Sequence, residues 1–272
     1  MGALKHIIGN CIHRLTSLPN PSAPFNFAPP CISQMSCTVT LDGELGTLTF
    51  CAREKMPLQL MIWEIIQNKT YFPKSIPESL LQKNSVCIDI GANIGVFTCY
   101  WSKITNANIY AIEPLGINYE QLRRNIELNK LTNVSTCNFA ISDEIGQSQL
   151  RIGKATSGSR LYNEKYDKNY SSKAFVNIST ITFEKFLKNI NVKPEKQPTL
   201  LKMDCEGAEF RILTKDTIDL FRGFEMITFE YHSNVGNPRN LVKLFKSINM
   251  NVEIFPDQCH SSLGIMVASK PY

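Results

Sequence analysis

The run Val86-Cys-Ile-Asp-Ile-Gly-Ala-Asn-Ile-Gly-Val-Phe-Thr98 constrains the fold of this chain more than any other stretch. Val86, Ile88 and Ile90 read as a strand buried on both faces, as strands of parallel sheets are. Gly91 and Gly95 permit a tight turn and a close backbone approach to a ligand that a Cβ would block. The helix beginning near Val96 directs its unpaired N–H groups toward the same place. In an open α/β sheet, the crevice outside the carboxyl end of such a strand is where nucleotide-like molecules bind.

The turn is not built for a pyrophosphate. A dinucleotide fingerprint needs G-x-G-x-x-G and a phosphate loop needs Gly-Lys-Ser/Thr, whereas this turn reads Gly91-Ala-Asn-Ile-Gly95 with Asp89 two residues before it. A carboxylate at the mouth of the loop repels phosphate and suits an ammonium group. S-adenosylmethionine carries such an ammonium, and its carboxylate suits a helix N-terminus. Asn93 can donate to and accept from the same amino-acid end. Further on, Asn108-Ile-Tyr-Ala-Ile-Glu113-Pro114 is a short apolar strand ending in an acid. An acid at the end of a second strand can accept from ribose hydroxyls, which makes Glu113 a cofactor-binding candidate.

These segments resemble a known family. Asp-Ile-Gly-Ala-Asn-Ile-Gly-Val-Phe-Thr, then Ala-Ile-Glu-Pro, then Leu-Lys-Met-Asp-Cys-Glu-Gly-Ala-Glu stand in the order found in the FkbM family of S-adenosylmethionine-dependent methyltransferases. The resemblance runs from about Val86 to Val267. It implies that the turn after Asn138-Phe-Ala-Ile-Ser-Asp143, around Ala140, contacts adenine, that Ser179–Leu187 supplies a short helix before the fourth strand, and that Phe229-Glu-Tyr-His232 ends the fifth. It also implies O-methylation of a hydroxyl on a glycan, polyketide or other small metabolite.

From Val86 onward strands and helices alternate, which implies a parallel sheet with right-handed crossovers. Strands are expected at 86–90, 108–113, 134–139, 199–203 and 226–231, and helices at 96–103, 118–129, 208–213 and 238–248. A terminal pair, 251–255 and 264–268, can form an antiparallel hairpin. The fold class expected is therefore α/β, a Rossmann-like class I methyltransferase with a mostly parallel seven-stranded sheet and an antiparallel last strand. Residues 1–84 are expected as an N-terminal appendage: an apolar-faced helix over Leu4–Leu15, a Pro-rich linker from Pro19 to Pro30, a β-hairpin over Cys37–Phe50 turning at Asp42-Gly43, and a helix opened by Pro57. The methyltransferase domain then spans 85–272. Residues 147–178 interrupt the alternation with two candidate strands, 149–152 and 175–178, around a polar loop, and form the candidate substrate lid.

Methyl transfer from a sulfonium is an in-line displacement in which the protein aligns an acceptor and removes its proton. Catalytic candidates cluster in Lys202-Met-Asp204-Cys-Glu206-Gly-Ala-Glu209 and Glu230-Tyr-His232. In the expected assignment His232 is the base, because a neutral imidazole is available near pH 7. Asp204 orients the acceptor or the cofactor's ammonium, and Lys202 or Glu206 tunes that pair. The opposing structural reading makes Glu206 a helix cap and Lys202 the partner of a buried acid. Asp204, Glu230 and His232 could instead hold Mg²⁺ or Mn²⁺; the metal-free version is preferred.

Composition narrows the partners. A hydrophobic content of 43% supports a sizeable core and 19% charged residues argues against disorder. A net charge of +5, with no basic run and no basic strip interleaved with aromatics, does not indicate a nucleic-acid partner. No apolar run approaches the ~18 residues of a membrane span. Nine cysteines without C-x-x-C or metal-ligand spacing fit a reducing compartment, so cytoplasm is the expected location. The acid-free N-terminus before Asp42 is the one organelle-targeting feature. Two other classes use the same scaffold, an NAD-dependent oxidoreductase and a non-catalytic cofactor-binding module. Oligomeric state has no signal in the sequence.

Overall fold

The computed structural model describes residues 37–43, 46–53, 55–73, 75–153, 159–161, 174–258 and 260–271. The expected N-terminal helix at 4–15, the Pro-rich linker at 19–30 and most of the polar loop at 154–173 lie outside the described residues.

A seven-stranded sheet forms the centre. Its strands are β3 (Val86–Ile90), β4 (Asn108–Ile112), β5 (Val134–Cys137), β10 (Thr199–Met203), β11 (Met226–His232), β12 (Asn251–Pro256) and β13 (Leu263–Ser269), in the order β12-β13-β11-β10-β3-β4-β5. From β11 to β5 the neighbours are parallel, whereas β13 runs antiparallel between β11 and β12. This is the expected mostly parallel sheet with a reversed last strand. All residues of the central strands β3 and β10 are buried, because helices cover both faces. Register pairs Lys202 of β10 with Asp89 of β3, so the two charges of these apolar strands stand side by side.

Helix α2 (Val96–Ile104) follows β3, and α3 (Gly116–Leu128) follows β4. Every residue of α2 from Val96 to Ser102 is buried, with Phe97 and Trp101 stacking at 6.0 Å and Phe72 stacking on Trp101 at 4.9 Å. The third core strand stops at Cys137, two residues earlier than expected. There the Asn138 amide donates to the carbonyls of Glu113 and Pro114, turning the chain out of the sheet.

The chain then enters a second sheet of four strands, β6 (Ala140–Ser142), β7 (Gly146–Arg151), β8 (Arg160–Leu161) and β9 (Phe175–Thr182), in the order β6-β9-β7-β8. The two strands expected in the insertion are thus the centre of a larger sheet. Leu150, Leu161 and Ile178 bury against the main core, which fixes the second sheet beside it. At the end of β9, Thr182 caps α4 (Phe183–Ile190) by accepting the Lys185 N–H. Two further helices complete the layers, the short α5 (Glu209–Ile212) and α6 (Pro238–Ser247), the latter opened by Asn237 and Pro238.

Strands β1 (Cys37–Gly43) and β2 (Gly46–Ala52) form the expected hairpin, but Asp42 and Gly43, expected as its turn, are paired strand residues opposite Thr47 and Gly46. The hairpin is tied to α3 by two asparagines. The Asn125 side chain bonds both the N–H and the carbonyl of Cys51, and Asn129 does the same to Thr49. Helix α1 (Lys55–Ile62) buries Leu58 and Ile62 in one cluster with β2 and α2, then widens into a π-turn at Trp63–Gln67. Leu60 of the same helix is 52% exposed.

Candidate active site

The carboxyl ends of β3, β4 and β10 open into a cavity. Gly91, Asn93, Glu113, Ala140, Asp204 and Glu206 all face it, so the structure brings these six expected residues to one place. The second sheet supplies another wall through Leu150, Ser159, Arg160 and Leu161. The insertion therefore borders the cavity.

Gly91 has φ +75°, and a Cβ there would overlap the carbonyl oxygen of Asp204. Gly95 has φ +87°, and a Cβ would lie 2.6 Å from Leu122 Cδ1 of α3. Both glycines were expected for a close approach to a ligand. The atoms a Cβ would strike belong to the protein itself: one glycine brings the β3 and β10 ends together and the other seats α3. Asn93 adopts a left-handed φ of +52°. Its backbone N–H donates to Glu113 Oε2 at 2.9 Å, while the Leu115 N–H donates to Oε1 at 2.9 Å. Glu113 thus locks the first turn to the second strand and keeps a further lone pair on each oxygen. Burial pushes its carboxyl up to about 7 despite those two bonds.

Asp89 is not at the loop mouth. Its side chain is closed to solvent, with Lys202 Nζ 3.1 Å from Oδ1 and the Thr98 hydroxyl donating to Oδ2 at 2.6 Å. The expected contact with an ammonium group of the cofactor is replaced by one with the chain's own ammonium. Lys202 also donates to the Gly91 carbonyl at 3.1 Å and lies 5.0 Å from the centre of the Tyr71 ring. Burial favours the neutral amine, but the charges of Asp89 and Asp204 outweigh it and hold the lysine above its ordinary value. Lys202 is therefore the partner of a buried acid and lies beneath the turn. That geometry removes it from direct contact with an acceptor.

Asp204, half-buried after β10, accepts a hydrogen bond from the Tyr71 hydroxyl at 2.7 Å. Burial and then the Asp204 charge drive the phenol well above its usual value, so Tyr71 remains a donor. Nothing in the sequence around Tyr71 announces this role. Glu230 reaches the same region, and burial followed by repulsion from Asp204 raises its carboxyl to about 9.

The expected base is not a base in this geometry. His232 Nδ1 lies 2.9 Å from Glu209 Oε1 and Nε2 lies 3.2 Å from Glu206 Oε2. Burial lowers the imidazole pKa, but the bonds to Glu206 and Glu209 prevail and push it up to about 11. An imidazolium with both nitrogens engaged has no lone pair to offer. Glu209, closed to solvent, also accepts the His232 backbone N–H at 3.1 Å and the Gly207 N–H at 2.9 Å. Its signal was present in the sequence as the last residue of Asp204-Cys-Glu-Gly-Ala-Glu209, yet only tertiary packing reveals its partner. The same pairs disfavour the metal alternative at Asp204, Glu230 and His232. Among the described residues no group of three His, Cys, Asp or Glu side chains is arranged to hold a metal ion.

The family described as Methyltransferase FkbM domain matches residues 89–253. Methyltransferase sdnD of Sordaria araneosa is 29% identical over 194 residues, covering 62% of this chain and 73% of its own. Methyltransferase 1 of Beauveria bassiana (strain ARSEF 2860) is 29% identical over 174 residues, covering 58% of this chain and 67% of its own. Among solved structures, M. jannaschii TYW2 in complex with AdoMet aligns at a TM-score of 0.44 and 14% identity, covering 85% of this chain and 84% of that one. That likeness is too loose to carry an argument.

Proposed function

The chain belongs to the FkbM methyltransferase family, and from that premise we propose that it transfers the methyl group of S-adenosylmethionine to a hydroxyl oxygen of a glycan or small metabolite. The observation that carries the reading is one cavity lined together by Asn93, Glu113, Asp204 and Glu206. Its donor set fits the cofactor: the free lone pairs of Glu113 suit ribose hydroxyls, Ala140 leaves room for a flat base, and Asn93 with the turn backbone suits the amino-acid end. Bound there, S-adenosylmethionine supplies an electrophilic methyl group.

The chain's own residues do the rest. Tyr71 holds Asp204 toward the cavity, where its carboxylate orients the acceptor hydroxyl. Alignment of acceptor and donor is the main contribution, and proton removal by a carboxylate adds about 10²–10⁴-fold. Among the described residues no helix is long and apolar enough to cross a membrane. Cys87, Cys99, Cys137 and Cys205 are free thiols, which supports the cytoplasm as its location.

Thermal-shift titrations with S-adenosylmethionine and with NAD(H) test the cofactor. Source-cell extract incubated with enzyme and methyl-labelled cofactor then tests the acceptor, with mass spectrometry locating the methyl group. A stabilised protein and an O-methylated product are expected. Stabilisation by NAD(H) alone, or a methyl group on nitrogen or carbon, overturns the proposal.

A further inference from the structure

The turn 205–209 is stapled to the end of β11 by an alternating chain of charges. Glu209, inside, binds His232 at Nδ1 and at the backbone N–H, and His232 Nε2 faces Glu206 Oε2 at 3.2 Å. Only the outer member of this chain reaches the cavity. Glu206 lines it with a side chain 28% exposed, whereas His232 is 7% exposed and Glu209 is closed to solvent. Glu206 Oε1 has no protein hydrogen-bond partner among the described residues. The backbone at Glu206 is also unusual, with a left-handed φ of +54°. A non-glycine residue there is strained, and strain of that kind concentrates where a side chain must be aimed.

We propose that Glu206 is the catalytic residue that contacts the acceptor hydroxyl and takes its proton, and that His232 and Glu209 are positioning residues that aim it. This rests on the methyl-transfer reading above. In the step, a lone pair of the acceptor oxygen forms the new O–CH₃ bond while the S–CH₃ bond breaks and its electron pair returns to sulfur. The acceptor's proton passes to Glu206 Oε1. The positive charge of the His232 imidazolium fixes Oε2, so the free oxygen points in one direction.

The groups facing Glu206 come from three elements. His232 and Glu230 extend from β11, Asp204 lies at the end of β10, and Glu209 stands at the start of α5. Burial and the two acids Asp204 and Glu209 raise the Glu206 carboxyl, while His232 lowers it. The balance leaves the Glu206 carboxyl above its ordinary value.

The test has two arms. Side-chain NMR of histidine in the wild-type enzyme reads the His232 ring directly. An imidazolium persisting at pH 8 is expected, and a ring that titrates near its ordinary value overturns the proposal. In the second arm, Glu206→Gln, His232→Gln and Glu209→Gln are assayed with labelled S-adenosylmethionine and source-cell extract, beside calorimetric cofactor binding. Glu206→Gln is expected to lower kcat at least about 100-fold with cofactor Kd within twofold of wild type. His232→Gln, whose amide still donates to Glu206, should lose less, with the pH profile of kcat shifted to higher pH because the charge that lowers the Glu206 carboxyl is gone. Wild-type turnover in Glu206→Gln overturns the proposal. An extract in which wild type labels nothing, despite bound cofactor, counts against the methyl-transfer reading instead, and the NMR arm still decides the His232 geometry.

Discussion

Lys202 Nζ and Asp89 Oδ1 stand 3.1 Å apart on adjacent central strands, with side chains 3% and 0% exposed. A pair this dry is sustained by register, since each residue faces the other across β3 and β10. Removing one partner leaves an uncompensated charge in the sheet. Lys202→Met is expected to destabilise the protein by about 3–5 kcal/mol, and Asp89→Leu with Lys202→Met to recover most of it. Urea unfolding of the single and double variants measures both.

Gly91 is the second sensitive point. A left-handed φ alone costs an alanine about 1–3 kcal/mol, and the Cβ would also overlap the Asp204 carbonyl. Gly91→Ala should therefore lower stability by more than that strain and weaken S-adenosylmethionine binding, because the turn and the β10 end must separate. Chemical denaturation and calorimetry test the two effects on the same protein.

Glu113 links cofactor binding to pH. Its folded-state value of about 7 lies above the ordinary 4.5, so the folded protein binds this proton more tightly than the unfolded chain does. The associated stability is full below pH 4.5 and lost as pH rises through 7. Cofactor binding should run the other way, since ribose hydroxyls donate best to the ionised carboxylate. Wild-type Kd should tighten between about pH 6 and 8, while Glu113→Gln binds weakly with a flat profile. A pH-independent wild-type Kd would contradict this.

His232 gives a window at higher pH. Its folded value is about 11 against an ordinary 6.5, so its stabilising contribution is complete below pH 6.5 and disappears as pH rises through 11. The stability gap between wild type and His232→Gln should narrow steadily from about pH 7 to 10. Thermal melts across that range suffice.

Tyr71→Phe removes only the donor to Asp204. A hydrogen bond to a charged group contributes about 1.5–3 kcal/mol, and the partly hydrated Asp204 places this one at the lower end. Methyl transfer should slow while cofactor Kd holds within about twofold. Unchanged kcat would show that Asp204 needs no such support.

Several features were legible in the residues. The apolar run Val86–Ile90, the small-residue turn to Gly95, and the acid at Glu113 were readable because each depends on neighbours within a few positions. The reversed final hairpin was readable for the same reason. Boundaries slipped where a tertiary bond intervened, as at Cys137, where Asn138 ties the chain to Glu113 and Pro114.

Local pattern determined the strand–turn–helix units, their alternation and the set of acids and bases near the strand ends. Only the tertiary structure decided which charge meets which. Asp89 turned inward to Lys202, His232 was clamped between Glu206 and Glu209, and Tyr71 reached Asp204 from 133 residues away. The physical reason is burial. A charge withdrawn from water must find a partner, and strand register and chain crossing choose that partner, which no short window of sequence contains.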